Sequence, residues 1–119
     1  MAKLSILIPS RSEKYLYPTI RDCFEKAAGE VEVVVCLEGY WPEDWKTMTD
    51  KYPNLHTIHH GEAQGMRPAI NSCAGSAISR GAKYLMKLDA HCLLDEDYDT
   101  KLLADIEPNW IVVPRRKRL

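Results

Sequence analysis

The chain has 119 residues, enough for one domain with a real core, and 45% hydrophobic with 28% charged residues excludes a disordered or low-complexity polymer. A net charge of -1 supplies no global field toward nucleic acid or a membrane surface, so neither is expected as a partner. No apolar run approaches the roughly 18 residues that a membrane-spanning helix needs, and no stable membrane insertion is expected. The start, Met1-Ala2-Lys3, enters a short apolar run with no small-residue cleavage site, so no signal peptide is expected. The four cysteines, Cys23, Cys36, Cys73 and Cys92, make no CxxC pair. They read as reduced, mostly buried thiols of a cytoplasmic protein rather than a disulfide or zinc scaffold.

In chain order, "LSILIP" (residues 4–9) predicts a strand buried on both faces and stopped by proline. Residues 17–29 predict a helix, with Ile20, Phe24 and Ala27 or Ala28 at helical spacing, Pro18 in the first turn and Gly29 as C-cap. "EVEVVVCLEG" predicts a second buried strand. Residues 42–53 predict a short helix with acidic residues in its first turn. "LHTIHH" (residues 55–60) alternates as an edge strand, and residues 65–82 predict a helix whose small side chains allow close packing on a sheet. "KYLMKLD" (83–89) predicts a fourth strand, residues 98–106 a helix, and "NWIVVP" (109–114) a fifth strand, before a basic tail at 115–118. Regular strand–helix alternation predicts an α/β fold: three layers, α/β/α, around a mostly parallel, Rossmann-like sheet. One domain over residues 1–119 is expected.

In such a sheet ligands lie outside the carboxyl ends of the strands, where strand order reverses. The segments that follow the first four strands are Pro9-Ser10-Arg11-Ser12-Glu13, Glu38-Gly39-Tyr40, Gly61-Glu62-Ala63-Gln64-Gly65 and Asp89-Ala90-His91. Polar and glycine residues thus gather where a ligand would sit. Asp89 and His91, two apart in an extended segment, point to one side and can hold one ion. A carboxylate with one imidazole suits Mn²⁺ or Mg²⁺ better than structural Zn²⁺, and leaves open positions for a diphosphate. Glu38 is placed to accept from a nucleobase N–H. Gly65 and Arg67 open a helix whose N-terminal N–H groups and guanidinium suit an anion. Each feature alone also has a plain structural reading: Asp89 as a helix cap with His91 at the surface, Glu38 as the strand's exit into solvent, Arg67 as a solvated side chain. His56, His59 and His60 read as edge-strand or surface residues, since alternation turns His59 away from the other two.

Together, "SILIPSRSE", "VEVVVCLEG", "GMRPAIN" and "YLMKLDAH" resemble the nucleotide-binding half of GT-A glycosyltransferases. The likeness is to family 2 enzymes and to the polypeptide N-acetylgalactosaminyltransferases. It implies that Pro9, Ser10, Arg11, Glu13 and Glu38 hold the nucleoside of a nucleoside-diphosphate sugar, in particular a UDP-sugar. It further implies that Gly65, Arg67 and Asn71 belong to a Gly-x-x-x-Ala-x-Asn helix start, and that Asp89 and His91 form the Asp-x-His metal motif for Mn²⁺ or Mg²⁺. Serine stands in the asparagine place of the first loop, and Glu38 alone keeps the acidic role at the second strand. The family's domains are commonly much longer. Their second half carries the acceptor pocket and the usual catalytic base, for which this sequence shows no candidate. What is present resembles the donor half, with a second domain or an oligomer expected to complete the site. The rival readings are a non-catalytic nucleotide-binding or assembly module of the same fold, and a nucleotidyltransferase. The latter normally has a Gly-rich basic loop after its first strand, which residues 9–13 lack.

Overall fold

The computed structural model describes residues 4–11, 15–61, 66–88 and 98. The elements are β1 (Leu4–Ser10), α1 (Leu16–Glu25), β2 (Val31–Glu38), α2 (Trp45–Lys51), β3 (Leu55–His60), α3 (Met66–Ser79) and β4 (Tyr84–Lys87). They form a four-stranded parallel sheet in the order β3-β2-β1-β4, with β3 at one edge as expected. The expected helix over residues 98–106 (Tyr98 apart), the fifth strand over 109–114, the basic tail, Glu13, Gly65, Asp89 and His91 lie outside the described residues.

Burial follows the pleat. Val31, Val33, Val35 and Leu37 of β2 face α1 and α2, where Leu16, Ile20, Cys23 and Trp45 complete one core. Val34 and Cys36, with Leu7 of β1, face Ala69, Cys73 and Ala77 of α3. Those three recur every fourth residue, so one small-residue stripe lies flat on the sheet. A central strand covered on both sides needs a continuous apolar run, which is why β2 shows little alternation in sequence.

Several boundaries differ from expectation for identifiable reasons. β1 runs through Pro9 to Ser10. Leu7 O accepts the Leu88 N–H at 2.9 Å, so odd-numbered β1 peptides turn toward β4. Pro9 lies past the last β4 pair, Leu7 with Lys87, and its missing N–H removes no bond from that pairing. α1 ends at Glu25 rather than Gly29. The Tyr98 hydroxyl donates to Cys23 O at 2.6 Å, satisfying a last-turn carbonyl from outside the helix.

α2 starts at Trp45, not Pro42, and no acidic residue occupies its first turn. Asp44 sits at φ 58°, a left-handed conformation that a short polar side chain tolerates and that interrupts the helix there. The Tyr17 hydroxyl donates to Glu43 O just before it. Buried Trp45 anchors the helix, its indole N–H donating to Thr57 Oγ1 at 3.0 Å. α3 ends at Ser79 in a Schellman motif: Gly81 at φ 84° donates to Ile78 O at 2.9 Å, and Ala82 donates to Ala77 O at 3.1 Å.

Candidate functional site

Strand order runs outward from β1 to β3 on one side and places β4 on the other, so it reverses between β1 and β4. Ligands of open α/β sheets bind beyond the carboxyl ends at such a reversal. The strands end there at Ser10, Glu38, His60 and Lys87.

In the first loop Pro9 is half-buried, Ser10 is buried and Arg11 is exposed. Ser10 Oγ is hydrogen-bonded to Tyr40 Oη, which ties the end of β1 to the loop after β2. Glu38 is 5% exposed, at the last register pair of β2 with β3, opposite His60. Its negative charge is felt by two thiols. Burial first, then Glu38, raises Cys36 to about 11. Burial, the neighbouring Cys36 and Glu38 raise Cys73 to about 12. Both thiols therefore stay protonated at neutral pH and are not nucleophiles, although Cys36 Sγ lies 3.7 Å from His60 Nδ1. Cys23, Cys36 and Cys73 are free and buried.

The histidines divide as strand alternation predicts. His60 reaches α3 through Nε2 and Ser72 Oγ at 3.1 Å, and His56 approaches Glu32 on the same face of the sheet. His59 turns to the other face and stacks on Trp41, centroids 4.3 Å apart and planes 8° from parallel. The sequence places Glu38-Gly39-Tyr40 at the ligand edge but does not single out the side chains of Tyr40 and Trp41. Gly39 turns at φ 75° and donates to His60 O at 2.8 Å, so Tyr40 reaches β1 while Trp41 reaches β3. The available signal was an aromatic pair directly after the Glu-Gly that ends a buried strand.

On α3, Ala69 faces the sheet, and Asn71, two residues on, is exposed on the far side of that stripe. Arg67 lies in the helix's first turn. Pro9, Ser10 and Glu38 are thus gathered at one edge, whereas Asn71 points to solvent.

The opposite, amino-terminal edge holds a second polar cluster. Glu32 is 8% exposed and accepts from Ser5 Oγ at 3.0 Å and from Arg80 Nε and Nη2 at 3.1 and 2.8 Å. Burial pushes the Glu32 carboxyl up, but the Arg80 and Ser5 hydrogen bonds outweigh it and hold the group below its ordinary value. His56 Nε2 lies 3.5 Å from Glu32, yet burial and the Arg80 charge lower its pKa against the pull of Glu32. At neutral pH this contact is one with a neutral imidazole. An open depression of about 650 Å³ lies over this edge, lined by Glu30, Asn54, His56 and Arg80 among others. Its central carboxylate is satisfied within the chain, so we place the ligand edge at the carboxyl ends instead.

An open parallel sheet whose polar loops gather beyond its carboxyl ends at a reversal of strand order is the architecture of a nucleotide-binding α/β domain. The profile described as Glycosyl transferase family 2 matches residues 5–118, and the chain belongs to that family. It is a glycosyltransferase domain, of a family that takes a nucleotide-sugar donor and an acceptor. No curated protein matches the chain.

Proposed function

We propose that the domain binds a UDP-sugar through a divalent cation, Mn²⁺ or Mg²⁺, for transfer of the sugar to an acceptor in the cytoplasm. The observation that carries this reading is Glu38: a buried carboxylate at the carboxyl end of the second strand, beside the switch point, in a chain of this family. Placed there, it accepts the N–H of a uracil ring, while the backbone around Pro9 and Ser10 borders the ribose. Arg11, Glu13 and Gly65 flank the same crevice in sequence.

Asp89-Ala90-His91 follow Leu88, whose N–H bonds β1 at Leu7 O. In sequence the motif thus comes directly after β4, the strand that pairs with β1. A carboxylate and an imidazole form a donor set that fits a hard to borderline cation with open positions. When bound, that cation supplies Lewis-acid stabilisation of the leaving diphosphate. Arg67, in the first turn of α3, adds positive charge near the helix N-terminus and contributes to binding the anion. Asn71, exposed on α3, has a lesser role in this reading. The Asp-x-His form of the motif, with Cys92 after it, favours the polypeptide N-acetylgalactosaminyltransferase side of the likeness. Buried free thiols favour a reducing compartment.

Asp89→Ala tests the metal site. The variant is expected to keep the wild-type circular dichroism and melting temperature while losing Mn²⁺-dependent UDP binding. Unchanged binding in the folded variant would remove Asp89 from the site.

A further inference from the structure

The loop after β2 is fastened to two strand ends, and one of its side chains is held out in the open. Gly39 N–H donates to His60 O on β3, Tyr40 bonds Ser10 on β1, and Trp41 lies flat on His59 of β3. Trp41 is nevertheless 60% exposed. One face of its indole is covered by the imidazole, which sits 4.3 Å away at 8°. The ring is thus fixed in orientation with its other face turned to solvent. Leaving a large apolar face in water opposes the hydrophobic effect, and holding it rigid adds an entropy cost. An aromatic face presented in this way suits a flat π-surface, because stacking gains most when the platform is already ordered.

The position selects the ligand. Trp41 follows Glu38 by three residues in the same turn, at the β2–β3 side of the carboxyl edge. In sequence the proposed metal motif follows β4, the strand at the other edge of the sheet. In the order β3-β2-β1-β4, strands about 4.8 Å apart put β3 about 14 Å from β4. That separation suits an extended nucleoside diphosphate with its phosphates at β4 and its base at β2 and β3. We infer that Trp41, backed by His59, is a stacking platform for the nucleobase of the donor. The inference rests on the donor reading and adds to it a residue that grips the base.

Calorimetric titration with Mn²⁺ present, using UDP and inorganic pyrophosphate as separate probes, tests it. Trp41→Ala is expected to weaken UDP binding by roughly 5- to 100-fold, the usual effect of losing one base–aromatic stack. Pyrophosphate, which has no base, is expected to bind Trp41→Ala as it binds wild type, and Trp41→Phe is expected to keep most of the UDP affinity. Unchanged UDP affinity in Trp41→Ala overturns the platform while leaving the donor reading intact. Equal losses for UDP and pyrophosphate also overturn it, because the effect would not be on the base. A wild-type chain that binds neither probe overturns the donor reading and the platform together.

Discussion

Strand β2 carries a buried glutamate near each end, Glu32 and Glu38, and the two meet different surroundings. Six residues apart, they point to the same face of the sheet, under α3. Glu32 lies under the C-terminal end of the helix. There Arg80 and Ser5 occupy its oxygens and the chain neutralises its own charge. Glu38 lies at the helix's N-terminal side, opposite His60 and beside two thiols that its charge helps to keep protonated. A carboxylate closed by an arginine of its own chain is a structural device, since removing the partner leaves a buried charge uncompensated. Glu38 instead stands at the carboxyl edge, where the proposed donor site lies and where the loop after β2 connects to β1 and β3. Burial alone would have marked both as sites; what surrounds each one separates them.

Breaking the amino edge should give the largest effect. Arg80→Ala strips Glu32 of two charge-assisted hydrogen bonds and is expected to lower unfolding free energy by about 2–3 kcal/mol, read by urea denaturation. UDP affinity in the folded variant should stay at the wild-type value. A stable Arg80→Ala chain with weakened UDP binding would mean that the two ends of β2 do not have separate roles.

Acid should act on the same edge. The folded chain holds both Glu32 and His56 below their ordinary values of 4.5 and 6.5. The unfolded chain therefore binds more protons as pH falls, and stability declines with it. The contribution of His56 is fully present above 6.5 and is lost as pH drops through its lowered folded value. That of Glu32 is present above 4.5 and is lost below it in the same way. Melting temperature should fall in two steps from neutral pH downward. His56→Ala should flatten the upper step and Glu32→Gln the lower.

A smaller effect is expected at the other edge. Tyr40→Phe removes one hydrogen bond to Ser10 and should cost about 0.5–1.5 kcal/mol, with its main signature in UDP affinity. The smallest effect sharpens the comparison most. The edges are separated by the length of β2, eight residues or about 26 Å. Arg80→Ala and Tyr40→Phe should therefore add within about 0.5 kcal/mol in the double variant. A larger coupling would join the two edges into one cooperative unit.

Much of this architecture was legible in the sequence because it depends on short-range pattern. Continuous valines gave β2, residues 55–60 gave β3 to the residue, and the small side chains over 65–82 predicted a helix packed close on the sheet. The gathering of Pro9, Ser10 and Glu38 at one edge followed from the parallel order alone. The closed cluster was not legible, since nothing near Glu32 in "EVEVVV" shows which side chain would pair with it. Its partners come from afar in sequence: Ser5 lies 27 residues before it and Arg80 48 residues after. The start of α2 was missed because nothing local announces that Asp44 takes a left-handed conformation. Trp41 was passed over because its partner, His59, belongs to a strand that only tertiary structure brings beside it.

On the reading proposed above, the carboxyl edge takes a nucleoside diphosphate together with a metal. Calorimetric titration of UDP and UDP-sugars into the chain, first without divalent cation, then with Mn²⁺, then with Mn²⁺ and excess chelator, tests it most directly. The prediction is binding that strengthens at least tenfold with Mn²⁺ and returns to the metal-free level with chelator, the minimum expected if the cation contributes about 1.4 kcal/mol. Failure of Mn²⁺ to enhance the binding of any UDP-sugar would contradict it.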